Sequence, residues 1–346
     1  MGLPFRRALL SGARPFTPLS LFSAGEVGAW YDPSDFSTMF QDAAGTTPVT
    51  AVEQPVGLIR DKSGRGNHAS QSTSTSRPVL SARVNLALNS GFSGAVAGTP
   101  GTAPTNWAFV LSGGTTNSVV SDGNGGFVVS YSATAARQIV NQTVAVSVAT
   151  YSAKLKIDAH TGGLKVNNIF TLSSVPAGTT TDFYANGTPI NATTYTPVAG
   201  DILEARSIVT TAGNIVYRIG VGASGVSTGT VAFSMFDVRL FNQVDVLPPY
   251  QRVTTSTDYD TTGFPYYLRD DLVDDTMNWT ATAGSNYTVA WVERGGTVTI
   301  QTAQSLSGST DMLRAQTVAG YVAVNRALSS TETANLTAWL TDKGNG

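Results

Sequence analysis

Ala29-Trp30-Tyr31-Asp32-Pro33-Ser34-Asp35, preceded by Val27 and followed by Phe36, Met39 and Phe40, is the stretch on which the fold turns. Its apolar residues suit a buried strand. Pro33 fixes φ, removes a donor and pushes Asp32 extended, so the pattern predicts a strand, a turn and a short helical turn started by Ser34. Downstream, Val56-Gly57-Leu58-Ile59-Arg60-Asp61 alternates into a second strand, and Ser63-Gly64-Arg65-Gly66-Asn67 is predicted as a loop with positive-φ glycines. A polar connector over residues 70–76 and Pro78 then lead into Val79-Leu80.

The far end of the chain carries companion pieces. Tyr267-Leu268-Arg269 precedes an acidic run, Asp270-Asp271-Leu272-Val273-Asp274-Asp275, and strands are predicted at 287–292 and 297–300. Gly320-Tyr321-Val322-Ala323-Val324-Asn325-Arg326-Ala327-Leu328-Ser329 leads to a terminal helix. Ser329 or Ser330 caps it, Glu332 stands at capping-box spacing from Ser329, and Leu336, Trp339 and Leu340 form an apolar stripe.

Together these motifs resemble the laminin-G-like branch of the concanavalin A-like lectin fold, in the version found in structural proteins of tailed bacteriophages. The resemblance implies an all-β protein of two β-sandwiches with a short C-terminal helix. One sandwich would be split into residues 23–83 and 259–346, with an inserted jelly roll at 84–245 and a stiff link at 246–258 containing Pro248-Pro249. Trp30, Trp291 and Trp339 are assigned to the split sandwich's core. In the relatives the acidic segment reads Phe-Asp-Gly-x-Asp-Asp; here Asp270 replaces the Phe and Leu272 the Gly, which leaves the local turn open.

The insert holds 14 of the chain's 44 charged residues and many strand-like runs. These include 127–131, 142–148, 151–157, 202–209, 215–221 and 231–241, separated by turn signals such as Ala185-Asn186-Gly187. Short strands at regular spacing predict a jelly-roll sandwich. Asn89-Ser90-Gly91-Phe92-Ser93, followed by Pro104-Thr105-Asn106-Trp107, resembles the opening of carbohydrate-binding-module jelly rolls, and 231–240 resembles their final core strand. Ser93 stands where that family places a calcium-binding glutamate, leaving Asp237 as the lone acid for a structural calcium.

Composition narrows the function classes. Charged residues make up 13% of 346 and the net charge is −2, which offers no field for nucleic acid or an anionic membrane. Without cysteine there are no disulfides, thiolate nucleophiles or sulfur ligands, consistent with assembly in a reducing cytoplasm. No 18 apolar residues run together, and Arg14 and prolines interrupt the opening apolar run, so neither a membrane span nor an export signal is expected. Residues 1–22 carry Phe5, Arg6, Arg7, Arg14 and Phe16 without helix or strand periodicity, the composition of a frayed end or of an attachment arm that orders on a neighbouring subunit.

Two histidines, His68 and His160, and no Gly-x-Ser-x-Gly elbow argue against triad or zinc chemistry, so no catalytic residue and no cofactor are expected. The loop from Asp61 to Asn67 has Lys62 and Arg65 opposing a cation and is read as structural. The paired acids at 270–275 are read as a polar strand end rather than a glycosidase pair. Glycans stack on exposed rings beside short polar side chains, which makes Tyr131, Tyr184 and Tyr195 the candidate binding residues and Trp107 a core anchor. The resemblance implies a virion protein of the tail tip, fibre or baseplate that binds host surface glycan, contacts other virion proteins and self-associates, trimers being frequent among phage fibres. A purely structural or decoration protein and a cell-wall or capsule glycanase are the alternatives.

Overall fold

The structure is a computed structural model that describes residues 15–96, 102–112, 118–121, 127–131, 137–221, 229–241 and 250–346. The first segment gives β1 (Gly28–Tyr31), β2 (Met39–Phe40), β3 (Leu58–Ile59), β4 (Ala69–Ser70) and β5 (Val79–Ser81). The middle gives β6 (Ala108–Ser112), β7 (Ser118–Ser121), β8 (Phe127–Tyr131), β9 (Arg137–Val146), β10 (Ala149–His160), a one-turn helix α1 (Val166–Ile169), β11 (Phe170–Ser174), β12 (Thr180–Ala185), β13 (Thr188–Ile190), β14 (Ile202–Val209), β15 (Gly213–Val221) and β16 (Gly229–Leu240). The return gives β17 (Tyr267–Arg269), β18 (Asn278–Val292), β19 (Val298–Asp311), β20 (Thr317–Val318), β21 (Gly320–Val324) and α2 (Ser330–Asn345). The fold is all-β and sandwich-like, with a C-terminal helix, and divides into two compact units: the chain up to Ser81 with Tyr266–Asn345, and Ala82–Pro265.

In the first unit β18 is the spine. Residues 288–292 pair with β21, which pairs with β1, while Asn278 pairs with Ser70 of β4, which leads on to β3 and β2; β19 lies along the opposite side. A second sheet consists of β20, β17 and β5. Alternate residues serve two cores. Ala29, Tyr31, Val289, Trp291, Tyr321 and Ala323 pack with Leu80, Leu268 and Val318 of the small sheet. Trp30, Ala290, Val292, Val322 and Val324 pack instead with Leu336 and Leu340 of α2 and with Leu21 and Phe22. Cover on both faces explains why these strands read as unbroken apolar runs. β1 and β21 approach so closely that a Cβ on Gly28 would lie 1.9 Å from the Ala323 carbonyl oxygen, a place only glycine can fill.

The Asp61 loop is structural, as its residues suggest. The Asp61 carboxylate accepts from the backbone N–H groups of Trp30, Ser63 and Asn67, and Asn67 Nδ2 donates to the Gly28 carbonyl at 2.7 Å. The helix start also follows the sequence: Ser329 N–H donates to Glu332 Oε2 at 2.8 Å and Glu332 N–H to Ser329 Oγ at 3.2 Å, the reciprocal pair of a capping box. Arg326 binds Glu332 at 2.6 Å and Glu26 at 3.1 Å, joining α2 to the chain ahead of β1.

The acidic run forms a turn held by its own carboxylates. Asp270 accepts from Leu272 N–H, Asp271 from Val273 N–H, and Asp275 from Asp271 N–H. Leu272 occupies the left-handed region with φ of 64° at the position where the resembled family carries Gly. Burial first, then the neighbouring Asp271, Asp270 and Asp274 charges, push the Asp275 carboxyl above its usual range.

The second unit is a seven-stranded sheet, ordered β13-β12-β14-β10-β16-β8-β7, over a four-stranded one, β11-β15-β9-β6. Leu155, Leu203, Phe233 and Phe236 from the larger sheet meet Val140, Phe170, Tyr217 and Ile219 from the smaller. Trp107 anchors this core: its ring lies 4.8 Å from Phe92 and 5.3 Å from Phe236, and its indole N–H reaches the Asn89 carbonyl. Asn186 and Gly187, with φ of 49° and 79°, form the β12–β13 turn, the left-handed pair that a two-residue hairpin needs.

The described part of the segment expected to be a link behaves otherwise. Gln251 is fully buried; its amide accepts from Val84 and Asn85 N–H and donates to the Ala82 and Asp260 carbonyls. Residues 250–265 therefore belong to the second unit. One side chain satisfying four backbone groups replaces the free link that the prolines suggested.

Two predictions follow from these local structures. Arg326 and the Ser329 cap hold the Glu332 carboxyl at about 2, well below the usual carboxylate range. A depressed folded-state pKa contributes stability above the unfolded value and loses it as pH falls. Acid titration of thermal unfolding should show this contribution intact above pH 4.5 and fading toward pH 2, and Glu332→Gln should remove that dependence. Leu272→Gly should raise stability by about 1 kcal/mol, because it relieves the left-handed side chain; an unchanged or lower melting temperature would contradict that reading.

Candidate functional site

The outer face of the larger sheet of the second unit carries a charged lattice produced by strand alternation. On β14, Leu203, Ala205 and Val209 enter the core, which turns Glu204 and Arg206 outward. Tyr151, Ala153 and Leu155 likewise turn Ser152 and Lys154 outward on β10, and Phe236 and Val238 turn Asp237 and Arg239 outward on β16. Register aligns them in two rows: Tyr184, Glu204, Lys154 and Asp237 in one, and Asp182, Arg206, Ser152 and Arg239 in the other.

Opposite charges alternate along the first row from Glu204 through Lys154 to Asp237, and the two rows meet in the pairs Glu204 with Arg206 and Asp237 with Arg239. Arg206 grips Glu204 through Nε at 2.9 Å and Nη2 at 3.1 Å, and Ser152 Oγ donates to Glu204 at 2.6 Å. Burial raises the Glu204 carboxyl pKa, but hydrogen bonds from Arg206 and Ser152 outweigh it and hold it below the ordinary range. Arg239 pairs with Asp237 through both carboxylate oxygens, and both residues are buried. The Arg206 guanidinium lies 3.9 Å from the Tyr184 ring centroid and 4.4 Å from that of Phe241, a cation held against two π faces. Asp182 at the end of its row is exposed.

The residues singled out from sequence do not form one cluster. Tyr184 sits on this face, with Arg206 against its ring. Tyr195 lies on the loop after β13, packs against the core and donates its hydroxyl to Asp201 Oδ2 at 3.0 Å; burial, then Asp201, raises its pKa. Tyr131 ends β8 opposite Gly229, and its side chain lies outside the described residues. Phe5, Arg6, Arg7 and Arg14 of the arm also lie outside them, whereas Phe16 packs against the helix-side core of the first unit. Asp237 spends both oxygens on Arg239, so a calcium ion there would compete with a guanidinium. Among the described residues, the one group of three metal-capable side chains is Asp270, Asp271 and Asp275, whose carboxylates hold the Leu272 turn. His68 Nδ1 accepts from Asp61 N–H within its loop, and burial lowers the pKa of His160.

Sequence reasoning missed Glu204, Arg206, Lys154 and Phe241. The available signal was the spacing by two of Glu204 with Arg206 and of Asp237 with Arg239, which puts each pair on one face of its strand. Nothing in one sequence tells which strands lie side by side. Among the described residues, no helix is long and apolar enough to cross a membrane.

No protein-family model and no curated protein matches this sequence. Among solved structures, a xanthan lyase of Paenibacillus aligns with a TM-score of 0.24 and 11% identity over 82% of this chain. The alignment spans 31% of the lyase's own length.

Asp237→Asn should cost about 3–5 kcal/mol of stability, because it breaks a buried ion pair held through both carboxylate oxygens. Thermal unfolding with and without a calcium chelator checks this. A small loss in the variant together with chelator-sensitive melting of the wild type would make Asp237 a metal ligand instead.

Proposed function

We propose that the chain is a non-enzymatic structural protein of a tailed-phage virion, at the tail tip, fibre or baseplate, whose second unit presents a host-glycan-binding face. The observation that carries the reading is the juxtaposition of Tyr184, Arg206 and Phe241 on one face of the larger sheet, with the exposed carboxylate of Asp182 beside them. Rings give a sugar's C–H face something to stack on, and fixed charged groups with short reach bond its hydroxyls. The internal pairing of Glu204 with Arg206 and of Asp237 with Arg239 holds those groups in place before any ligand arrives. Laminin-G-like motifs in the first unit and the absence of cysteine support assembly in the host cytoplasm with other virion proteins as partners.

The same internal pairing favours one second reading. A face whose charges already satisfy one another also suits contact with a neighbouring virion subunit, and the protein would then be a structural or decoration component. Titration of host surface polysaccharide by calorimetry, with an assay for released reducing ends, separates the classes. Binding without hydrolysis is expected, and Tyr184→Ala should lose about 1–3 kcal/mol of affinity with little change in melting. Trp107→Ala should instead lose roughly 3–5 kcal/mol of stability, since it empties the core under that face. A wild-type protein that binds no host polysaccharide sinks the glycan reading, and release of reducing ends makes the chain a glycanase.

A further inference from the structure

The second unit has another outward face, that of its smaller sheet. Ile215, Tyr217 and Ile219 of β15 enter the core, as do Val140 and Val144 of β9 and Phe170 of β11. Alternation therefore turns Val216 and Arg218 outward on β15, Asn141 and Thr143 on β9, and Thr171 on β11. Register sets these side chains in two rows: Thr171, Arg218 and Asn141 in one, and Ser174, Val216 and Thr143 in the other.

Arg218 is the one charged residue in these rows. It is half-buried, and among the described residues its Nε, shielded from solvent, has no hydrogen-bond partner. The other sheet of the same sandwich treats its arginines differently: Arg206 and Arg239 each meet a carboxylate two residues away on their own strand, Glu204 and Asp237. A guanidinium drawn out of water without a counter-charge carries a desolvation cost, and no acidic neighbour in its rows offsets it. Its register partners are a hydroxyl and an amide, Thr171 and Asn141, at a cross-strand spacing of about 5 Å. The hydroxyls of Ser174 and Thr143 flank them in the next row.

We propose that this face is a second ligand site, at which Arg218 takes the carboxylate of an acidic sugar in a polysaccharide while Asn141 and Thr171 bond the neighbouring hydroxyls. One guanidinium matches one carboxylate through two parallel hydrogen bonds, and it supplies the Nε–H with the acceptor it lacks. A phosphoryl dianion would be left half compensated by a single arginine. A protein partner would need an apolar anchor, and these rows offer only Val216, itself half-buried. The site lies on the opposite sheet from Tyr184 and does not depend on what the Tyr184 face binds.

Calorimetry and thermal unfolding of the full chain with oligogalacturonate, and with its methyl ester as the uncharged counterpart, test this. The acid is expected to bind and to raise the melting temperature, the ester to do neither, and binding should weaken as salt rises. Arg218→Gln should lower affinity for the acid by roughly tenfold to a hundredfold. Without ligand the same variant should melt at or above the wild-type temperature, because it removes an uncompensated charge. Arg218→Lys, which keeps the charge but not the fork, should restore part of the binding. An acid that does not bind, an ester that binds equally, or a folded Arg218→Gln that keeps full affinity overturns the proposal. So does a variant that melts well below the wild type, which would show the guanidinium already compensated.

Discussion

The first unit depends on one pairing, Gly28–Tyr31 against residues 321–324, which joins chain segments nearly 300 residues apart. Closing so large a loop carries an entropy cost that no local contact offsets. The compensation is dense: β1 and β21 bury residues on both faces, half of them against the small sheet and half against α2. Gly28 lets the two backbones meet, and Arg326, bound to Glu26 and Glu332, fastens the helix over the joint. Every later feature of the unit inherits its place from this central layer.

The second unit solves a different problem. Its core is apolar, yet the outer face of its larger sheet holds charged groups, of which Glu204, Asp237, Arg239 and Ser152 are shielded from water while Asp182 is exposed and Tyr184, Arg206 and Phe241 are half-buried. Buried charges are tolerable only when paired and hydrogen-bonded, and the two rows achieve that by register. Such an arrangement adds little net stability compared with apolar packing. What it provides is rigidity and a fixed pattern of charge beside two aromatic rings, the property a recognition surface needs.

Much of the fold was legible because local chemistry dictates it. Ser329 and Glu332 stand at capping spacing and cap the helix; Asn186-Gly187 forms the hairpin turn; Trp107 is buried. The face of the second unit was hardly legible, because Glu204 meets Lys154 and Asp182 meets Arg206 only through pairing between strands distant in sequence. Aromatic residues beside polar turns pointed to Tyr184 but equally to Tyr195, whose hydroxyl is tied to Asp201. Prolines suggested a free link at 246–258, while the single amide of Gln251 binds the described part into the second unit. The missing glycine at Leu272 was visible as a departure from the resembled motif, and the backbone keeps the left-handed turn despite it.

The central claim is that recognition resides on the face formed by β12, β14, β10 and β16. Amide exchange of the full chain, measured with and without host surface polysaccharide, tests it most directly. The account predicts slowed exchange in those four strands and around Phe241, with the first unit unchanged. Protection confined to the first unit, or no protection anywhere, would contradict it.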